Sequence, residues 1–311
     1  MLAGMAAFCH HGDGKMRVAL GGASDEAGRM ASMIDLAEEW RKLDSVRRPP
    51  DSVEIWDERA ETFTAEDAPS DYVSAFIERM ALRKGESVLD MGCGAGLLSL
   101  PLARLGHPVI AADFSTGMLD RLSASLDADP DLSVRTLNMS WEDDWERCGV
   151  AARSVDVAMA SRSLIAHDLE GCLAKLSASA KRRVCVTVTT GLSPRVEPAA
   201  IKALGAPVVR ANDALFVFGF ACDLGFEPEV GYIRSPRHRL YPSPEEAREH
   251  LMRACDYLDP RLPAADAAQA RARLAKWVDD HLVRFDFPQG KGEWGLDRPS
   301  HVSWAFISWD V

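Results

Sequence analysis

The 311-residue sequence contains no apolar run approaching the roughly 18 residues that a membrane span requires. Its start, MLAGMAAFCHHGDGKMRVALGG, lacks the basic segment followed by a long apolar one that marks a cleaved leader. A cytoplasmic location without a membrane partner is therefore expected, with Met16 and Met30 as further candidates for the natural start. There is no CxxC pair: Cys9, Cys93, Cys148, Cys172, Cys185, Cys222 and Cys255 are scattered, several in apolar runs, and read as reduced core thiols. Cys9, His10 and His11 stand together, but no second ligand cluster follows, so they read as a terminal segment and no metal is expected. Internal repeats and low-complexity tracts are also missing. Positive charge is scarce, with 36 Lys and Arg against 47 Asp and Glu, a net charge of −11. Such a balance works against a nucleic-acid partner, whose phosphates call for clustered cations.

What is present is an alternation of periods. Met33, Leu36, Ala37, Trp40 and Leu43 recur at helical spacing until RRPPD breaks the chain, and residues 54–63 suggest a second helix with Trp56, Ala60 and Phe63 on one side. Ser70 is expected to cap a third, in which Val73, Phe76, Ile77 and Met80 follow the i, i+3, i+4, i+7 rule. From Ser87 short β-rich runs alternate with helices: SVLDMG, PVIAAD, SVRTLNM, SVDVAMA, RRVCVTV, EPEVGYI and a terminal HVSWAFISWDV. The helices between them are expected to open on the glycines before LLSLPLARLG, on Ser115 and on Asp168, with an apolar one over 212–224 closed by Gly225. Seven strands in this rhythm predict an α/β fold, a doubly wound, mostly parallel seven-stranded sheet with N-terminal helices and a helical insertion before the last strand. The expected division is a helical N-terminal extension (1–50), a main domain (51–240 plus 299–311) and a helical insertion (241–298). Within the insertion, Ser243, Pro244 and Glu246 form a capping box.

The stretch VLDMGCGAGLLSLPLA, residues 88–103, carries three glycines at every second position behind an acid. A dinucleotide fingerprint would require a glycine where Leu97 stands, and a phosphate-cradling loop would require Gly-Lys-Ser or Gly-Lys-Thr, which does not follow. What remains is Asp90-x-Gly92-x-Gly94-x-Gly96, with Asp113 closing the next strand. That pattern, together with DFSTGMLD from Asp113 and SLIAHD from Ser163, resembles the class I S-adenosylmethionine-dependent methyltransferases of the bacterial small-molecule type. The resemblance covers roughly residues 54–235 plus the terminal strand. It implies S-adenosylmethionine as cofactor and S-adenosylhomocysteine as product. Asp90, Gly92, Cys93, Gly94, Ala95 and Gly96 would face the methionyl end, and Asp113 the ribose hydroxyls. Phe114, Ser115 and Met118 would flank the adenine, with Ser140, Trp141 and Glu142 on its other side and Ser161 near the methyl. Bare backbone suits the close approach of a sulfonium, an ammonium and a carboxylate, and a carboxylate can accept two ribose hydrogen bonds.

Several residues carry two readings. Trp141 stacks on adenine or packs in the core, and Trp56, Arg59 and Phe63 form a cofactor lid or a surface helix with one buried tryptophan. His167 is the candidate base for a hydroxyl acceptor, or His167 and Asp168 merely cap the next helix. Arg162, unusual at the end of the fourth strand, holds an acidic acceptor or a surface carboxylate. The cluster Arg234, Arg237, His238 and Arg239 grips an anion or is a solvated loop. Trp277, Phe285 and Phe287 make the insertion a cover for the acceptor or a dimer arm, so a homodimer is a possible partner. The absence of N-P-P-Y or D-P-P-Y after the fourth strand weakens methylation of DNA bases. A methyltransferase acting on a small molecule is expected; its rivals act on a protein or RNA, or hold the cofactor without turnover as a regulator.

Overall fold

The computed structural model describes residues 35–46, 51–62, 70–164, 166–191, 196–210, 212–237, 239–286 and 293–311. Cys9, His10, His11, Met16, Met30, Met33, Phe63, His238 and Phe287 lie outside them, as do the side chains of Ser70 and Arg237.

Three helices, α1 (Leu36–Asp44), α2 (Val53–Thr62) and α3 (Ser70–Met80), precede the sheet. The sheet's strands are β1 (Val88–Met91), β2 (Val109–Asp113), β3 (Val134–Asn138), β4 (Val155–Ser161), β5 (Ala180–Thr189), β6 (Glu229–Arg237) and β9 (Ser300–Asp310). Their order is β3-β2-β1-β4-β5-β9-β6, and β9 alone runs antiparallel, between β5 and β6. The expected fold class is observed: seven strands, mostly parallel, with helices on both faces.

Period-2 alternation sorts the strand residues into two cores. Leu89, Ala158, Val184, Val186, Ala305 and Ile307 face α6 (Leu169–Ser179) and α8 (Asp213–Asp223). Val88, Val157, Met159, Cys185, Ile233 and Phe306 face α3, α4 (Ser99–Arg104) and α5 (Thr116–Asp127). Each large apolar side chain buried this way contributes about 1.5–3 kcal/mol. The anticipated caps are present: Ser115 Oγ accepts from the Met118 amide, Asp168 from Gly171 and Ser243 from Glu246.

Three elements differ from the sequence expectation. α4 begins at Ser99, not on the glycines, because 94–98 curl into turns first. α7 (Pro198–Leu204) was not anticipated. The insertion is not helical throughout: α9 (Pro244–Met252) and α10 (Ala264–His281) are followed by an antiparallel pair, β7 (Leu282–Phe285) and β8 (Glu293–Leu296). α7 and the insertion share a third core of Ile201, Leu204, Leu251, Leu274, Val278 and Leu296. Among the described residues no helix is long and apolar enough to cross a membrane, and no cluster of three His, Cys, Asp or Glu side chains is placed to hold a metal.

Candidate active site

Two buried acids stand at neighbouring positions of the carboxyl edge. Asp90 on β1 is 2% exposed and accepts a 2.7 Å hydrogen bond from Ser99 Oγ. Burial pushes its carboxyl up to about 7, against the Ser99 hydrogen bond and with the charge of Asp113 adding to the rise. Asp113 ends β2; Oδ2 accepts from the Gly94 amide at 2.8 Å and Oδ1 from the Ser115 amide at 2.9 Å. Burial raises this carboxyl as well, opposed by those amides.

The loop between the acids is tied back to β2, since the Gly92 and Cys93 amides both donate to the Ala112 carbonyl, at 2.7 and 3.0 Å. Gly92 has φ +75°, and a β-carbon there would lie 2.2 Å from Ser163 Cβ. Ser163 is fixed in turn, its Oγ donating to the Met91 carbonyl at 2.6 Å. Gly94, at φ +54°, has no atom within 4 Å of the position a β-carbon would take. Gly96 is closed against Leu122, Ala95 is half-buried, and the buried Cys93 thiol is pushed well above its ordinary range by burial. At Gly94 the loop is thus open on the side a β-carbon would occupy, and its amide is bonded to the Asp113 carboxyl.

Beyond Asp113, Phe114 is an exposed ring, while Ser115 and Met118 are buried. The Ser115 hydroxyl donates to Asp57 Oδ1 at 2.6 Å, and the Gly117 amide donates to the same oxygen at 3.0 Å. Those bonds, that from Ser115 foremost, lower the Asp57 carboxyl. Asp57 thus pins α2 to the start of α5, a role missed in the sequence, although the residue sits between the lid candidates Trp56 and Arg59. Arg59 itself lies over the Trp56 ring at 5.0 Å and donates to Asp51 at 2.6 Å. Asp57→Ala is expected to speed amide exchange across residues 53–62 roughly tenfold, leaving β1 and β4 protected; hydrogen-exchange mass spectrometry checks this.

After β3, the Ser140 amide donates to Asp143 and its carbonyl accepts from Trp145 Nε1, and Glu142 is exposed. Trp141 lies in the core beside Trp145, its Nε1 donating to the Ser163 carbonyl at 3.1 Å. His167 has a largely exposed ring bonded to Asp44 of α1, and its carbonyl accepts from Trp40 Nε1 at 2.7 Å. These partners hold His167 on α1, not on the glycine loop.

Ser161 and Arg162, at the end of β4, meet residues the sequence reading did not select. Tyr72 of α3, 1% exposed, shares hydrogen bonds of 2.7 Å with Ser161 Oγ and with Thr187 Oγ1 of β5. Burial pushes the phenol up, against the nearby Arg162 charge. Arg162 has φ +60°, a left-handed backbone that costs a residue with a side chain about 1–2 kcal/mol. Its guanidinium lies 4.7 Å from the Tyr72 ring centre and 5.7 Å from that of Trp304 on β9. Of the basic cluster, Arg234 is exposed and Arg239 contacts His250. Of the insertion aromatics, Trp277 stacks on His281 at 4.8 Å.

Residues 88–183 match the family described as Methyltransferase domain. An uncharacterized protein of Haemophilus influenzae is 39% identical over 122 residues, 39% of this chain and 44% of that protein. A ubiquinone biosynthesis O-methyltransferase of Dinoroseobacter shibae is 56% identical over 36 residues, 12% of this chain and 14% of that enzyme. The chain thus matches less than half the length of each of these two relatives. Among solved structures, the YcgJ protein of Bacillus subtilis has a TM-score of 0.48 at 14% identity, covering 77% of this chain and 97% of the other. The matched segment holds the glycine loop, both buried acids and Arg162; Asp57, Tyr72 and Trp304 lie outside it.

Proposed function

We propose that this chain, whose residues 88–183 match the methyltransferase-domain family, moves the methyl group of S-adenosylmethionine to a small-molecule acceptor and releases S-adenosylhomocysteine. The observation that carries the reading is the open side of Gly94, whose amide is bonded to Asp113, in the loop that follows the buried Asp90. These residues fit the cofactor chemically. Each Asp113 oxygen receives one backbone amide and keeps lone-pair capacity for a ribose hydroxyl. Asp90 offers a carboxylate to the methionyl ammonium, and Phe114 an exposed ring for adenine. When bound, the cofactor supplies an electrophilic methyl whose bond to sulfur breaks, the electron pair passing to sulfur as the acceptor's lone pair forms the new bond. The chain's own contribution is alignment and exclusion of water, which can provide most of the acceleration in such a displacement.

Calorimetric titration of the full chain with S-adenosylhomocysteine is expected to show saturable binding. Labelled methyl donor is expected to mark the low-molecular-weight fraction of a cell extract, not its proteins or RNA. No binding, or binding of donor and product without transfer to any fraction, contradicts the reading.

Asp90 adds a pH signature. Burial holds its carboxyl up at about 7, so below that pH binding of the cofactor ammonium is coupled to release of the Asp90 proton to solvent, and affinity should fall by up to tenfold per unit as pH drops. The cofactor-free fold responds in the opposite sense. A carboxyl raised from an unfolded value near 3.9 stabilises the fold at low pH, and that contribution is lost as pH rises from about 4 to about 7, on the order of a few kcal/mol. Asp90→Asn should flatten both profiles, read by calorimetry and by urea unfolding between pH 5 and 8.

A further inference from the structure

We infer that the acceptor carries a carboxylate and that Arg162 is the residue that grips it; the inference rests on the methyltransferase reading and names its substrate class. Arg162 immediately precedes Ser163, whose β-carbon and hydroxyl lie against Gly92, so it stands directly beside the cofactor loop. Its backbone is left-handed, and its amide donates to the Thr187 carbonyl at 3.1 Å, which holds that conformation. Non-glycine residues kept in this region gather at ligand sites, where surrounding structure enforces the geometry. The face of the guanidinium is fixed by Tyr72 and Trp304, which themselves meet edge-to-face at 6.3 Å. Its edges are uncommitted: among the described residues they form no hydrogen bond and no ion pair. A part-buried cation stacked on rings and lacking a counter-ion is a preformed anion receptor, and its planar fork matches a carboxylate bidentately.

Charge and topology narrow the ligand. One guanidinium balances a monoanion, whereas a phosphate-ester dianion would leave excess negative charge in a site already holding Asp90 and Asp113. The receptor lies away from the ribose anchor. Asp113 ends β2, while Tyr72, Thr187 and Trp304 group Arg162 with β5 and β9, on the opposite side of β1 and β4. On the same face of β6 and β9, two pairs beyond Ile233 and Trp304 towards the carboxyl edge, the Ser235 hydroxyl is 3% exposed with no hydrogen-bond partner among the described residues. A buried hydroxyl of this kind is an available second polar contact for an acceptor.

The test uses benzoate and its neutral isostere benzamide as probes on the full chain saturated with S-adenosylhomocysteine, read by ligand-observed NMR titration. Benzoate is expected to bind at least tenfold more tightly than benzamide. Arg162→Asn and Arg162→Gly, both suited to a left-handed backbone, are expected to lose at least tenfold in benzoate affinity while keeping S-adenosylhomocysteine affinity within twofold. Equal binding of the two probes, no benzoate binding, or inorganic phosphate competing as well as benzoate overturns the carboxylate assignment. A parallel loss of S-adenosylhomocysteine affinity would place the guanidinium on the cofactor's own carboxylate and overturn it too. If the chain does not bind S-adenosylhomocysteine at all, the methyltransferase reading falls, and the same titration without it still decides the anion receptor.

Discussion

Gly92→Ala is expected to cost about 2–5 kcal/mol of folding stability, the sum of about 1–2 kcal/mol for a left-handed alanine and about 1–3 kcal/mol for overpacking. The new methyl would fall 2.2 Å from Ser163 Cβ and 2.6 Å from its hydroxyl oxygen. Ser163 has little room to retreat. Its hydroxyl is bonded to the Met91 carbonyl, and its own carbonyl to Trp141 Nε1, so moving it disturbs a tryptophan in the main core. Gly94→Ala is the control, since nothing lies within 4 Å of its β-carbon position and only the backbone term applies. Urea midpoints at constant m-value measure both. A Gly92→Ala protein within 1 kcal/mol of the parent would show that the approach of Ser163 to the loop is not as described.

Asp113→Ala is expected to lower S-adenosylhomocysteine affinity at least a hundredfold, about 3 kcal/mol, while leaving a folded chain. Two hydroxyls donating to an ionised, buried carboxylate are worth about 1.5–3 kcal/mol each, and alanine removes both acceptors. The variant also strands the Gly94 and Ser115 amides that the carboxylate now receives, so some loss of stability accompanies the loss of binding. Asp113→Asn separates the two effects, because the amide oxygen still accepts one bond and preserves the shape. Affinities should rank parent, Asn, Ala in isothermal calorimetry. Undiminished binding in the alanine variant would exclude the assigned ribose contact.

The sheet and the glycine loop were legible because their signals are local. Strand runs, caps at Ser115, Asp168 and Ser243, and the Asp90 to Asp113 spacing each lie within a few residues of one another. α7 carries local signals as well, a proline at its first turn after Glu197 and a left-handed Gly205 at its end. α4 starts late for a reason that no pattern of apolar residues reveals: the Gly96 amide turns back to the Cys93 carbonyl and spends the first turn on the loop. The remaining gaps are long-range. Tyr72 stands outside the apolar pattern of Val73, Phe76, Ile77 and Met80, and its hydroxyl is satisfied by partners 89 and 115 residues away. Asp57 finds Ser115 across 58 residues, and Trp304 reaches Arg162 only because β9 enters the sheet beside β5. His167 shows the reverse. Its side chain, which the sequence offers as a base or as part of a helix cap, is bonded to Asp44, 123 residues earlier.

The antiparallel strand wedged between β5 and β6 also governs how the fold can be reached. Its partner Thr189 pairs with Trp304 across more than a hundred intervening residues, and among the described residues β6 pairs with no other strand. Both ladders of β9 pair residues distant in sequence, β5–β9 more so than β6–β9, and long loops must close before they return free energy. Until that strand arrives, Trp304 is missing from the aromatic bracket and only Tyr72 flanks Arg162.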